Sequence, residues 1–210
     1  MSGKVALLGD SIFDNAAYTD GEPDVVAHLR SMLPQNWQAS LLAVDGSVTA
    51  DLRGQLARVR DEDHLVVSMG GNDAIMSSNL LHTPVSSTAE ALTILGRRMS
   101  QFEAEYRSAI DAALTLKRET TVCTIYNGNL GEPEGPLARV GLTIFNDVIL
   151  RTAFDRRLSV IDLRLVCDDP SDYANPIEPS GSGGKKIAAA IARILQSGGT
   201  DATCSKVYSA

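Results

Sequence analysis

A three-layer α/β/α sandwich around a five-stranded parallel sheet is the fold class predicted by this 210-residue chain. Three observations point to it. Five short runs dominated by Val, Ile or Leu recur along the chain, helical patterns separate them, and the first three runs are followed by glycine-bearing segments. Short apolar runs alternating with helices imply crossover connections, hence parallel strands with helices on both faces. The length suffices for one α/β domain with a sizeable core. We expect that domain over residues 1–197, followed by a polar tail over 198–210.

The first strand is expected at Lys4–Leu8, where Val5-Ala6-Leu7-Leu8 is short and apolar, as in a strand buried on both faces. The others are expected at Ser40–Val44, His64–Met69, Thr121–Tyr126 and Ser159–Leu163. The clearest helix covers Thr88 to Lys117. Ser87 and Glu90 have the spacing of a capping box, and Leu92, Leu95, Met99, Phe102, Tyr106, Ala109, Ala113 and Leu116 form one apolar stripe. A second helix is expected from Leu137 to Phe154, with Phe145, Val148, Ile149 and Thr152 on one side. The last starts near Ser182 and carries Ile187, Ile191, Ile194 and Leu195 inward.

Composition excludes several classes. The formal net charge of −7 argues against a nucleic-acid footprint, and Lys185-Lys186 is only a pair of basic residues. No apolar run is long enough to span a membrane, and no leader-like segment precedes the first strand, so the chain reads as cytoplasmic. Cys123, Cys167 and Cys204 are odd in number and widely spaced, which fits neither a disulfide framework nor a zinc site. Neither the dinucleotide-binding glycine pattern nor a P-loop is present, so nucleotide binding has no support. No metal or other cofactor is expected, and the oligomeric state is open.

The chemistry is expected where the glycine-bearing segments converge. Gly9-Asp10-Ser11 follows the first strand, Asp45-Gly46-Ser47-Val48-Thr49 the second, and Gly70-Gly71-Asn72-Asp73 the third. Ligands of open α/β sheets bind outside the carboxyl ends of the strands. Ser11 is therefore the leading nucleophile candidate. The backbone N–H groups of Ser11 and Gly46 and the side-chain amide of Asn72 are donors of the kind an oxyanion needs. Asp10 caps or shapes the turn beside Ser11, Asp73 caps a helical turn, and Asp14 lies where it can line the pocket mouth with Asn15. The Gly/Pro-rich stretch from Gly128 to Pro136 is expected to hang over the same edge and help set substrate choice.

These segments resemble those of the SGNH hydrolases of the GDSL esterase and lipase superfamily, over nearly the whole chain. The resemblance implies a flavodoxin-like arrangement with Ser11 as nucleophile and Gly46 and Asn72 as oxyanion donors. It also implies that Asp-x-x-His-Pro should precede the last helix, its histidine the general base. Here that segment reads Asn175-Pro176-Ile177-Glu178-Pro179, with Asn175 in the place of the aspartate and Glu178 in that of the histidine. The three histidines offer little replacement: His28 falls in the first helix, His64 at the far end of the third strand, and His82 nine residues after Asp73.

Glu178 therefore has three readings. It is a general base tuned by burial and by Asp168, Asp169 or Asp172; or it contacts a polar or cationic ligand in a protein that no longer catalyses; or it is a structural loop residue or an introduced replacement of histidine. The resemblance implies a hydrolase of small esters acting through an acyl-Ser11 intermediate. The alternatives are a binding protein for a small polar ligand, to which Asp10, Asp14 and Asn175 contribute, and an acyltransferase.

Overall fold

The computed structural model describes residues 3–197; residues 198–210, with the expected polar tail and Cys204, lie outside the described residues. Five strands, β1 (Gly3–Gly9), β2 (Trp37–Leu41), β3 (His64–Ser68), β4 (Glu119–Cys123) and β5 (Ser159–Ile161), form one sheet in the order β2-β1-β3-β4-β5, every neighbouring pair parallel. This is the flavodoxin-like order, in which the chain reverses its direction of travel across the sheet between β1 and β3. The crevice of such a sheet opens at that reversal, beyond Gly9 and Ser68, which sit side by side in the ladder.

Seven α-helices among the described residues cover the faces: α1 (Val25–Met32), α2 (Leu52–Leu56), α3 (Gly71–Met76), α4 (Thr88–Leu114), α5 (Glu134–Asp155), α6 (Leu163–Val166) and α7 (Gly181–Ser197). Strand alternation explains the two cores. Val5 and Leu7 point to one face and pack with Val25 and Leu29 of α1 and Ile187 and Ile191 of α7. Ala6 and Leu8 point to the other and pack with Leu52 of α2, Phe102 and Tyr106 of α4 and Ile149 of α5. A strand buried on both faces must read as a continuous apolar run, as this one does. No helix among the described residues is long and apolar enough to cross a membrane.

The second strand lies earlier than expected. β2 pairs with β1 from Trp37 opposite Gly3 to Leu41 opposite Leu7. The apolar run Leu42-Ala43-Val44 instead bends over the strand end, with the N–H groups of Leu42 and Ala43 both donating to Leu7 O at 2.8 and 2.9 Å. β4 is also shifted toward the N-terminus, because the ladder is taken over by a side chain. Asn146 of α5 accepts from Ile125 N (2.7 Å) and donates to Ile125 O (2.8 Å). β5 stops at Ile161 because Asp162 caps α6, accepting from Arg164 N. In α4, Ser87 caps as expected, but Glu90 reaches back to the N–H and hydroxyl of Ser86, so no capping box forms. The apolar stripe is also shorter than expected: Leu92 is exposed and Leu116 lies beyond the helix, while Met99 to Ala113 are buried.

The tightest point of the sheet is Gly9. Its φ is +142°, and a Cβ there would stand 1.9 Å from Ser68 O. Only glycine lets the two backbones approach so closely at the crevice. Gly9→Ala is expected to cost about 3 kcal/mol or more in urea unfolding. Gly54→Ala, in α2 with open space around it, should instead gain up to about 1 kcal/mol. A loss below about 1 kcal/mol for Gly9→Ala contradicts the close approach.

Candidate active site

The site begins in the backbone of Gly9. Its N–H donates to Gln55 Oε1 (2.8 Å), and its carbonyl accepts from Gln55 Nε2 (2.7 Å) and from Val44 N (3.1 Å). The chain then turns sharply, with Asp10 O accepting from Phe13 N and Asp14 N at 3.2 and 3.1 Å. Asp10 Oδ1 accepts from Ile12 N (3.1 Å), which is the turn-shaping role expected of it. Ser11 stands at the head of this turn, buried, and its hydroxyl donates to Glu178 Oε1 at 3.0 Å.

Glu178 is held there by its own loop. Asn175 Oδ1 accepts from the N–H groups of Ile177 (2.9 Å) and Glu178 (3.0 Å), and Glu178 O accepts from Ala174 N (2.9 Å). Two side chains pin the loop from outside: the Tyr126 hydroxyl donates to Ile177 O (2.5 Å), and Asn15 Nδ2 donates to Pro179 O (3.2 Å). Asn15 Oδ1 in turn accepts from Val25 N (3.0 Å), so α1 and the Glu178 loop share one anchor. Asn175 is therefore spent on shaping the loop. It is not among the residues that line the cavity beside Ser11.

Only 6 % of Glu178 is exposed, and its Oε2 has no hydrogen-bond partner among the described residues. Burial disfavours the charged form and raises the carboxyl above its ordinary value. The Ser11 hydroxyl opposes this, and the Asp45 charge adds to it. The expected tuning by Asp168, Asp169 and Asp172 does not occur. Asp168 and Asp172 both pair with Lys186, at 3.2 and 2.8 Å, and Asp169 caps the turn at Pro170–Asp172.

The second and third glycine segments are tied together. Asn72, on the first turn of α3, donates through Nδ2 to Ser47 O (2.9 Å). Asp73 Oδ2 accepts from both the N–H and the hydroxyl of Thr49 at 2.9 Å, so Asp73 bridges two loops where a helix cap was expected. Gln55 Nε2 reaches Ser47 Oγ (3.2 Å), linking this pair of loops to Gly9. Gly46 sits in an exposed turn with φ +77°, and no described residue accepts a hydrogen bond from its N–H or from that of Ser11. Asp14 Oδ2 accepts from Asp45 N (3.0 Å), fastening the Gly46 turn to the Ser11 turn.

A cavity of about 310 Å³ opens beside Ser11. Asp10, Ser11, Asn72 and Glu178 form its polar end, and side chains such as Ile75, Leu80, Leu95, Met99, Leu142 and Phe145 form the rest. Gly46, Asp14 and Asn175 are not in its wall. Asn127, Gly128 and Leu130 are, so part of the glycine- and proline-rich stretch does lie over this edge. None of the histidines reaches it: His28 lies on α1, His64 Nδ1 is 3.3 Å from Glu119 Oε2 at the opposite end of the sheet, and His82 is exposed. Among the described residues no cluster of side chains has the make-up of a metal site.

Sequence inspection did not single out Gln55, and it missed the anchoring role of Asn15. Gln55 had one signal, a polar residue between the inward-facing Leu52 and Leu56 of a short amphipathic helix. Asn15 had none beyond its place four residues after the serine.

Comparison with known proteins agrees with this fold. The model of the GDSL-like lipase/acylhydrolase family matches residues 7–185. No curated protein sequence matches the chain. Among solved structures, a lipase from a goat rumen metagenome superposes with a TM-score of 0.71 at 17% identity, covering 94% of this chain and 98% of that one. An extracellular lipase from Streptomyces rimosus gives 0.68 at 17% identity, covering 93% and 99%. An acetyl xylan esterase gives 0.67 at 17% identity, covering 91% and 99%. At these identities the likeness establishes a shared fold. With most of the chain, from β1 into α7, matched by the family model, the protein belongs to the GDSL-like lipase/acylhydrolase family.

Proposed function

We propose that the protein hydrolyses esters of aliphatic acids through an acyl-Ser11 intermediate, with the Glu178 carboxylate as general base. The observation that carries this reading is the 3.0 Å hydrogen bond from Ser11 Oγ to Glu178 Oε1 at the mouth of an apolar cavity. Glu178 takes the hydroxyl proton as Ser11 Oγ bonds to the acyl carbon. The carbonyl oxygen, now an oxyanion, is held by the N–H groups of Ser11 and Gly46 and the amide of Asn72, each worth about 3 kcal/mol. The proton on Glu178 passes to the departing alkoxide. A water then attacks the acyl carbon, losing its proton to Glu178, and Ser11 Oγ leaves and recovers that proton.

A carboxylate is ordinarily a weak base toward a serine hydroxyl. Two features favour it here. Burial lifts its pKa, which strengthens the base that remains when it ionises. The mostly apolar lining of the cavity lowers the local dielectric on the acyl side, which strengthens each polar interaction at the reacting centre.

The nearby Asp10 adds a pH dependence of its own. Full burial pushes its carboxyl up to about 7, against the pull of the Ile12 N–H and with help from the Glu178 charge. A carboxyl whose folded pKa lies above its unfolded value binds its proton more tightly in the fold. Its contribution to stability is complete below about pH 4 and is lost as pH rises through about 7, by at most about 1.4 kcal/mol per pH unit.

With p-nitrophenyl butyrate, Ser11→Ala should lower kcat/KM by at least about 1,000-fold and Glu178→Gln by about 100-fold or more, both at unchanged thermal midpoint. Equal rates for wild type and Ser11→Ala refute the reading. The wild-type log kcat/KM should climb with pH along a limb centred above 4.5, and Glu178→Gln should lack that limb. Thermal unfolding of the wild type between pH 4.5 and 8 should show stability falling with pH, and Asp10→Asn should flatten most of that slope. An unchanged slope contradicts a buried neutral Asp10.

A further inference from the structure

The cavity accounts for one side of Ser11, and the other side has a different character. Asp14 and Asp45 flank the Ser11 turn outside the cavity wall, fastened to it by Asp14 N to Asp10 O (3.1 Å), Val44 N to Gly9 O (3.1 Å) and Asp45 N to Asp14 Oδ2 (3.0 Å). The Tyr18 hydroxyl donates to Asp45 Oδ2 (2.7 Å) and closes the group. Among the described residues, no Lys, Arg or His lies within ion-pair distance of Asp10, Asp14, Asp45 or Glu178. Arg98 reaches the cavity wall on the acyl side, where its Nε donates to Ser77 Oγ at 2.8 Å, its guanidinium faces Asp73 and Glu105 at 4.0 Å, and its buried Nη1 has no hydrogen-bond partner among the described residues.

An independent observation marks the same place as a ligand site. Glu178 is more than nine-tenths buried, lines the crevice beside Ser11, and leaves Oε2 without a partner. A buried carboxylate oxygen without a donor carries the full cost of its lost hydration, a cost that a cationic or N–H-bearing ligand group removes. The overall charge of −7 reinforces the attraction for cations.

We infer that this site selects esters whose acyl part is aliphatic and whose alcohol part carries a positive charge, an acylated amino alcohol. The inference rests on the proposed hydrolase reading and deepens it. The acyl chain enters the apolar cavity. The carbonyl lies at Ser11, and the leaving group points to the carboxylates of Asp14, Asp45 and Glu178, whose unpartnered oxygen faces the ammonium. Oε1 remains on Ser11, so the base and the cation contact use different oxygens of one side chain. An anionic leaving group meets uncompensated carboxylates and is rejected.

Three hexanoyl esters of matched size test this: hexanoylcholine, its neutral isostere 3,3-dimethylbutyl hexanoate, and the anionic hexanoyl ester of 2-hydroxyethanesulfonate. At low ionic strength kcat/KM should favour the choline ester over the neutral one by about tenfold or more, with the anionic ester slowest. The ratio should shrink in concentrated salt and fall about threefold in Asp45→Asn. Ser11-dependent hydrolysis of the choline and neutral esters at equal kcat/KM, or a ratio insensitive to salt, overturns the charge preference and leaves the hydrolase reading standing. Absence of Ser11-dependent hydrolysis of any ester removes the hydrolase reading instead. Calorimetric binding of the same three esters then decides the charge preference by itself, tighter binding of the choline ester supporting it and equal binding overturning it.

Discussion

The two hydrogen bonds between Gln55 and the backbone of Gly9 set the geometry on which the rest of the crevice is built. Gly9 ends β1 against Ser68 with no room for a side chain, so its backbone groups leave the ladder at a fixed place. Gln55 satisfies both of them and also reaches Ser47 Oγ, so one side chain aligns the first strand's end with the second loop. Asp73 and Asn72 then tie the third loop to the second through Thr49 and Ser47. A network of this kind is costly when half made, because a buried polar group without a partner forfeits its hydration. The loops around Ser11 therefore hold their positions together.

On the proposed reading, a carboxylate in the place of an imidazole changes the demands on its surroundings. An imidazole needs an acidic neighbour to fix its tautomer. A carboxylate has no tautomer to fix, and it needs only orientation and an environment that raises its basicity. Both are present. Asn175 supplies the orientation by accepting the N–H groups of Ile177 and Glu178. Desolvation is the main cause of the upward shift, and the Asp45 charge adds to it. The pair Asn175 and Glu178 thus forms one consistent unit, the amide shaping the turn that buries the acid.

Much of this was legible in the sequence, for reasons that differ by region. The sheet was legible because β1 and β3 are buried on both faces and must be apolar throughout. The edge strand β2 was misplaced because only one of its five residues is buried, while its apolar neighbours Leu42 and Ala43 belong to the bend beyond it. The end of β4 was misplaced because Asn146, distant in sequence, replaces the strand partner of Ile125. Ser11 and Asn72 could be singled out because short glycine-bearing segments carry them to the carboxyl edge, and Glu178 because the resemblance to the SGNH hydrolases marks its segment. Gln55 and Asn15 could not, since their roles lie in backbone groups they meet only after folding.

The takeover of Ile125 by Asn146 also governs how the cavity roof can vary. The chain is fixed on the sheet side by Asn146, and Asn129 N donates to Pro176 O (2.8 Å), while α5 begins only at Glu134. Between these anchors the backbone runs free of the ladder. Residues can be inserted or deleted there without slipping the register of β4 or displacing Glu178, because neither fastening depends on the intervening length. The roof is thus a module whose size is uncoupled from the Ser11 turn and the Glu178 loop, and the cavity's volume can diverge while the geometry beneath it stays fixed.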